Sequence, residues 1–205
     1  QIIHALKYFF EEDAEHCIYM WGATGAGLSH LLQASCHYAS GFCFSAQYLP
    51  MAELVRFSPY DILDELEDVD LVCLDGIQAI AGNKAWEQAL FNFFNRSKDG
   101  GRRLLLTADA SPLELPVNLP DLQSRLGWGL VFHLPEMSDT DKQQALQMRA
   151  RARGLELGDE VAQFILHRAP RKTAELFKCL DRLDNASLAE QRKLTIPFVK
   201  QVLDF

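Results

Sequence analysis

Short apolar runs alternate with amphipathic stretches over the first two-thirds of the chain, and the pattern changes after Pro135. The apolar runs predict five strands, at residues 17–21, 42–49, 71–74, 103–107 and 130–134. Between them, apolar spacings of three and four residues predict helices at 2–12, 27–39, 51–68 (in pieces), 84–99 and 119–126. Runs that are apolar at every position are typical of strands covered on both faces. The alternation therefore predicts an α/β fold, with a parallel sheet flanked by helices.

Beyond Pro135 the pattern predicts only helices, at residues 138–153, 160–168, 172–184 and 196–203. Ser138 and Asp141 have the spacing of a capping pair, and Thr195 with Pro197 marks the start of the last helix. We therefore expect two domains, an α/β domain at residues 1–134 and a small all-α domain at residues 135–205.

The turn between the first predicted strand and the next helix has the sequence of a phosphate-binding loop. Gly22 and Gly27 take the glycine positions of that motif, and Ser29 takes its hydroxyl position. Glycines let backbone N–H groups turn toward phosphate oxygens, and the helix N-terminus adds partial positive charge. We assign nucleotide binding to the residues of this loop, which are Gly22, Ala23, Thr24, Gly25, Ala26, Gly27, Leu28, Ser29 and His30. A glycine-rich turn that only joins strand to helix is the alternative, and packing is the more ordinary role for His30.

Leu28 stands where the motif has a lysine. That lysine supplies the point charge on the β- and γ-phosphates, which leucine cannot replace. We therefore expect the loop to hold a nucleoside diphosphate better than a triphosphate, with the base preference open. We also expect little or no ATPase activity of the protein's own.

Three more polar residues follow predicted strands or a short helix. Asp75 follows a buried strand, where such proteins hold Mg²⁺, so Ser29 and Asp75 are the candidate metal-binding residues. Asp109 follows the next strand, where a polar side chain could sense the terminal phosphate. Arg125 could complete the phosphate site of a neighbouring subunit. The ordinary alternatives are turn residues for the two aspartates and a solvated or packing arginine.

Composition narrows the class of partner. The formal net charge of −8 argues against extensive direct binding to DNA, which needs clustered lysine and arginine. The five cysteines have no paired metal-binding spacing, so they are expected to be reduced. The lack of a long apolar run and of a signal peptide favours a cytoplasmic protein without a membrane partner. Because the sequence opens inside a helical pattern, a natural N-terminal segment is expected upstream.

Taken together, these residues resemble the AAA+ family of P-loop NTPases, and within it the small bacterial proteins related to the replication initiator DnaA. The resemblance is carried by residues 22–32, 71–82, 104–112, 120–129 and 194–200. It implies an AAA+ core with a C-terminal helical lid. It also implies that the ADP-bound protein, together with the DNA-loaded sliding clamp, promotes hydrolysis of DnaA-bound ATP and so prevents re-initiation.

The same resemblance implies roles for single residues. Asp75 becomes the acid on the magnesium side, Asp109 the first sensor and Arg125 an arginine finger that acts in trans. A second sensor arginine belongs near Ala174, where only Arg171 and Lys172 are basic neighbours, so Arg171 is the expected nucleotide contact.

The sequence leaves three points open, which are the contact with the clamp, the oligomeric state and the class of function. The clamp-binding motif of the resembled proteins is absent from this chain, and a homo-oligomer is possible. An active ATPase of the clamp-loader or helicase-loader type is one alternative. The other is an interaction module with a vestigial nucleotide site.

Overall fold

A five-stranded parallel sheet organises the first of two compact units, residues 1–135. In the computed structural model, which describes residues 1–11, 13–170 and 172–205, the strands lie in the order β2-β3-β4-β1-β5. Their bounds are β1 Cys17–Trp21, β2 Ala46–Pro50, β3 Leu71–Asp75, β4 Arg103–Ala108 and β5 Leu130–His133. The predicted fold class is confirmed.

The helices of this unit connect the strands and cover both faces of the sheet. They are α1 Ile2–Tyr8, α2 Leu28–Ser40, α3 Met51–Leu54, α4 Pro59–Leu63, α5 Lys84–Asp99 and α6 Pro120–Leu126, with 3₁₀ turns at Asp64–Leu66 and Ile77–Ile80. Strand β1 shows why the apolar runs are continuous. Tyr19 packs in the core cluster that contains Trp86, whereas Ile18 and Met20 pack in the cluster that contains Leu32.

Two predicted elements are shorter in the structure. The helix expected at residues 2–12 ends at Tyr8. The strand expected at 42–49 begins only at Ala46, because Cys43 adopts a left-handed backbone conformation with φ of 59°, which an extended strand cannot contain. The apolar character of Phe42 has another cause: its ring stacks on that of Phe10, with 5.5 Å between centroids.

The second unit, residues 136–205, is entirely helical. Its helices are α7 Asp139–Ala152, α8 Asp159–Arg168, α9 Thr173–Glu190 and α10 Ile196–Leu203, and they enclose a separate apolar core. Ser138 and Asp141 form a reciprocal capping box, as predicted. Helix α9 continues six residues past the predicted end at Asp184. None of the described helices is both long and apolar enough to cross a membrane.

A buried carboxylate fixes the approach to α6. Glu87, in α5, is only 1% exposed. Its Oε1 accepts a hydrogen bond from the backbone N–H of Gly82 (2.7 Å), and its Oε2 accepts others from Asn118 (3.0 Å) and Leu119 (2.9 Å). Leu119 is the residue that precedes the first turn of α6. One side chain therefore joins the turn before α5 to the start of α6, which carries Arg125 at its other end.

Replacing Glu87 by glutamine tests this junction. The amide nitrogen of glutamine would face a backbone donor, and one buried N–H would lose its acceptor. We expect Glu87→Gln to lower the free energy of unfolding by about 2 kcal/mol in urea titrations. The matched control is Glu65→Gln on the exposed surface, with an expected change within about 0.5 kcal/mol. Equal stability of the two variants would contradict the role given to Glu87.

Candidate nucleotide-binding site

The loop between β1 and α2 forms an open cradle of backbone N–H groups. Gly25 and Gly27 have φ of 93° and 101°, a conformation that residues with a Cβ rarely adopt. Helix α2 begins directly after Gly27, and no side chain of the described residues caps its first turn. The N–H groups of that turn are therefore available to an anion, which the helix dipole also favours.

Gly22 is required for a different reason. A Cβ at this position would lie 2.3 Å from the carbonyl oxygen of Leu134, which is far inside van der Waals contact. The N–H of Gly22 also donates to the carbonyl of Ala108 at the end of β4 (3.2 Å). The first glycine of the motif thus lets the chain after β5 pass close to the start of the loop.

Leu28 is partly buried and packs against the core cluster that contains Leu32 and Met20. Its side chain serves the packing of α2 on the sheet, where the motif's lysine would carry a charge toward phosphate. The other loop side chains contribute little bulk to the cradle. The exposed residues of the loop are Ala23, Thr24, Ser29 and His30. Gly25 and Gly27 are half-buried, whereas Gly22 and Ala26 are buried.

Asp75, at the end of β3, is held by hydroxyl groups from both neighbouring strands. Its Oδ2 accepts a hydrogen bond from the Tyr48 hydroxyl of β2 (2.5 Å), and its Oδ1 accepts one from Thr107 of β4 (2.6 Å). Thr107 Oγ1 in turn accepts the backbone N–H of Gly76 (3.0 Å). The carboxylate therefore joins the carboxyl ends of three adjacent strands.

The Tyr48 hydroxyl also connects Asp75 to the loop. Burial, followed by the hydrogen bond to Asp75, raises the pKa of Tyr48 to about 12, and the neighbouring side chains of Gln33 and Ser29 oppose that rise. The two candidate metal-binding residues, Ser29 and Asp75, thus both have side chains near the Tyr48 hydroxyl. Tyr48 and Thr107 were missed by the sequence analysis. For Thr107 the signal was its position next to the end of β4, because parallel strands end at the same edge of the sheet. Tyr48 lies in the middle of β2 and gave no such signal.

The residues at this edge fit a magnesium ion that takes most of its ligands from a nucleotide and water. The described residues contain no cluster of three or more histidine, cysteine or acidic side chains that could hold a metal on their own. Each carboxylate oxygen of Asp75 accepts one hydrogen bond and keeps a second lone pair. One carboxylate, one hydroxyl and phosphate oxygens are the kind of site in which Mg²⁺ is usually bound.

Asp109 lies past the end of β4 and its side chain is exposed. The pKa of the Tyr19 phenol is raised, chiefly by burial. The negative charge of Asp109 raises that pKa further. The Tyr19 hydroxyl donates to the carbonyl of Ala110 (2.7 Å), which holds the turn that carries Asp109. Within the described contacts, Thr107 rather than Asp109 is the residue that bonds with Asp75.

Arg125 lies in the last turn of α6 among aromatic rings. Its guanidinium carbon is 4.0 Å from the ring centroid of Trp128 and 5.9 Å from that of Phe91. Lys98 approaches the same indole, at 3.7 Å. The buried Nε of Arg125 has no hydrogen-bond partner among the described residues. These contacts are separate from the hydrogen-bonded group around Asp75. Arg171, the other basic candidate, lies outside the described residues.

Sequence comparison decides the family. A sequence model of the bacterial DnaA ATPase domain matches residues 10–133, which is more than half of the chain. The chain belongs to the bacterial DnaA ATPase domain family. A second model, described as the Hda lid domain, matches residues 139–203 of this DnaA-family protein. The resemblance stated from the sequence is confirmed, and the chain joins a DnaA-type ATPase domain to a lid of the Hda type.

Solved structures agree with this fold. Domain III of the Thermotoga maritima replication initiation protein DnaA superposes with a TM-score of 0.83 at 21% identity, over 98% of this chain and 89% of that one. DnaA from Aquifex aeolicus bound to AMPPCP gives 0.73 at 22% identity, over 88% and 59%. The T. maritima RuvB Holliday junction branch migration motor gives 0.70 at 18% identity, over 98% and 64%. This DnaA-family chain thus spans about three-fifths of the two longer proteins.

The hydrogen bonds around Asp75 can be tested through stability. We expect Thr107→Val to lower the free energy of unfolding by about 2 kcal/mol, because Gly76 N–H also loses its acceptor, and Tyr48→Phe to lower it by about 1 kcal/mol. The double variant should deviate from the sum by at least about 0.5 kcal/mol, since both groups share one carboxylate. Tyr60→Phe, on the exposed surface, is the control. Strict additivity would argue against a shared network.

Proposed function

We propose that this protein is an ADP-binding regulator of replication initiation that promotes hydrolysis of the ATP held by DnaA. The observation that carries the proposal is an open phosphate cradle without its lysine, in a chain that keeps a candidate arginine finger. In this proposal the bound nucleotide stabilises the structure of the protein, and the catalytic group, Arg125, acts on the nucleotide of a partner.

Nucleotide binding is assigned to the backbone of residues 22–29. The left-handed glycines and the uncapped start of α2 supply N–H donors for the α- and β-phosphates. Leu28 contributes packing and no charge, so the terminal phosphate of a triphosphate gains little there. Adenine is the proposed base, supported by the fold shared with DnaA bound to AMPPCP. Ser29 and Asp75 would hold Mg²⁺, which neutralises phosphate charge when it is bound.

Arg125 is the proposed finger. None of the described acidic side chains forms an ion pair with it, so its charge is not already neutralised within the chain. The indole of Trp128 holds the guanidinium in one region by a cation–π contact, which does not consume the N–H donors. A guanidinium with free donors suits the transition state of phosphoryl transfer at a nucleotide bound by a neighbouring molecule.

The partners follow from this assignment. DnaA carries the ATP that is hydrolysed, and the DNA-loaded sliding clamp is the second proposed partner, supported by the family resemblance alone. A self-assembled oligomer is a further possibility, in which Arg125 of one copy meets the nucleotide of the next. An autonomous ATPase is disfavoured by Leu28, and also by Gly76, which stands next to Asp75 where many nucleotide hydrolases have a second carboxylate.

The nucleotide preference is measurable by titration calorimetry. We expect ADP to bind more tightly than ATP, and Leu28→Lys to improve ATP affinity about tenfold, equivalent to about 1.4 kcal/mol, by restoring a charge on the terminal phosphates. Ala34→Lys places the same charge on the exposed side of α2 and serves as the control. A tenfold preference of the unmodified protein for ATP would refute the assignment.

The finger is tested on DnaA. With clamp, DNA and the full-length protein supplied, Arg125→Ala should abolish the stimulated loss of DnaA-bound ATP, because fingers in trans contribute about 10³–10⁵ in rate. Arg125→Lys should rescue little, since lysine lacks the planar fork. Arg56→Ala, at an exposed arginine away from α6, should keep full stimulation. ADP affinity should be unchanged in all three variants. Full stimulation by a folded Arg125→Ala protein would return Arg125 to a packing role.

A further inference from the structure

Two cysteines meet between the helix and the strand on which the nucleotide site is built. Cys36, on α2, and Cys73, on β3, have their sulfur atoms 3.4 Å apart, within the distance of a thiol–thiol hydrogen bond. Cys73 is fully buried, and its sulfur is 3.9 Å from the carbonyl oxygen of Leu32. Cys36 is half-buried, so it is the less enclosed residue of the two. Neither thiol takes part in the proposed nucleotide chemistry.

The pair differs from the other cysteines of the chain. Cys43 is exposed and Cys17 is buried in the other core cluster, while Cys179 belongs to the second unit. Two sulfurs alone do not make a zinc site, and the described residues offer no third histidine, cysteine or acidic ligand beside them. The chemistry that two touching thiols do support is disulfide exchange.

The surroundings give the two sulfurs different roles. The hydrogen bond with Cys73 lowers the pKa of Cys36, against the opposing effect of burial. The hydrogen bond with Cys36, followed by burial, raises the pKa of Cys73. Cys36 is thus both the more accessible sulfur and the one that ionises first, which are the two properties of an attacking thiol. Cys73 is positioned to react second.

We propose that Cys36 and Cys73 form a dithiol modification site, which a low-molecular-weight disulfide of the glutathione type oxidises to an intramolecular disulfide. The Cys36 thiolate attacks one sulfur of glutathione disulfide, forms a mixed disulfide and releases one glutathione thiolate. Cys73 then attacks the sulfur of Cys36, and the second glutathione leaves as a thiolate that takes up the proton of Cys73. Two protein thiols are oxidised, and one glutathione disulfide is reduced to two glutathiones.

The geometry favours the internal disulfide over a lasting adduct. A disulfide needs its sulfurs at about 2.05 Å, so they must approach by about 1.4 Å from their present separation. The mixed disulfide on Cys36 would form within reach of Cys73, which makes the second step intramolecular. The product would tie α2, which begins at the phosphate loop, to β3, which ends at Asp75. The inference is independent of the proposed function, because it holds even if the chain binds no nucleotide.

The experiment equilibrates the reduced, folded protein with glutathione and glutathione disulfide at stepped ratios. The protein is then unfolded in denaturant with an excess of alkylating reagent, so that buried Cys73 is also blocked where it is free, and the products are mapped by peptide mass spectrometry. The wild type should give a Cys36–Cys73 cross-linked peptide, reversed by dithiothreitol, with both residues lost from the alkylated fraction together. Cys43, exposed and without a described thiol neighbour, is the internal control and should give a glutathione adduct.

Single substitutions separate the two steps. Cys73→Ser, or Cys73→Ala if serine disturbs the core, should leave a stable glutathione adduct on Cys36. Cys36→Ser should leave Cys73 reduced, because that sulfur is buried. A glutathione adduct that persists on Cys36 in the wild type would overturn the proposal. So would a Cys36 and Cys73 pair that stays fully alkylated at ratios that already convert Cys43.

Discussion

The candidate site at the edge of the sheet depends on the hydrogen bonds that the Asp75 carboxylate accepts. Parallel strands end at one edge, so their last residues come together whatever their separation in sequence. Here Asp75 ends β3, Thr107 is the penultimate residue of β4 and Tyr48 lies at the centre of β2, and both carboxylate oxygens accept hydroxyl hydrogens. Charge-assisted hydrogen bonds of this kind are stronger than neutral ones and fix the carboxylate in one orientation. The acid is therefore positioned by the sheet before any ligand arrives.

A second carboxylate, that of Glu87 in α5, fixes the turn before α5 and the start of α6. Glu87 is buried and has no cationic partner among the described residues, whose contacts to its carboxylate are all backbone N–H groups. Burying a charge is costly unless its hydrogen-bonding capacity is used, so this arrangement must be nearly complete to be tolerated. Because two of its donors, Asn118 and Leu119, lead directly into α6, the position of Arg125 depends on a residue far from it in sequence. The strand edge around Asp75 and the helix that carries Arg125 are thus fixed by separate acidic side chains.

The sequence predicted the strands well, and it predicted the burial of β1, β3 and β4, because a strand covered on both faces has to be apolar at every position. The edge strands β2 and β5 are largely half-buried or exposed although their sequences are also apolar. The sequence also predicted a glycine-rich loop between the first strand and the next helix, since the glycine spacing follows from local backbone geometry. It missed Tyr48, Thr107 and Glu87, whose roles arise only when distant segments meet. It misjudged the start of β2 because Phe42 is apolar for an aromatic cluster rather than for the sheet. The pattern of apolar residues in a sequence indicates which side chains are buried, but it does not indicate which other residues bury them.

Leu28 stands where the motif has a lysine, which removes a charge from the loop and leaves its backbone conformation intact. The cradle depends on backbone conformation, which Gly25 and Gly27 provide regardless of the side chain at position 28. The charge that distinguishes a triphosphate from a diphosphate depends on that side chain alone. Leucine also gains burial against the core cluster of α2, so the change favours the packing of the loop while it removes a catalytic group. Phosphate binding and phosphate chemistry are separable here because one uses the main chain and the other uses side chains. Arg125 has no acidic partner among the described residues, and in the proposed function its guanidinium acts on a nucleotide held by another molecule.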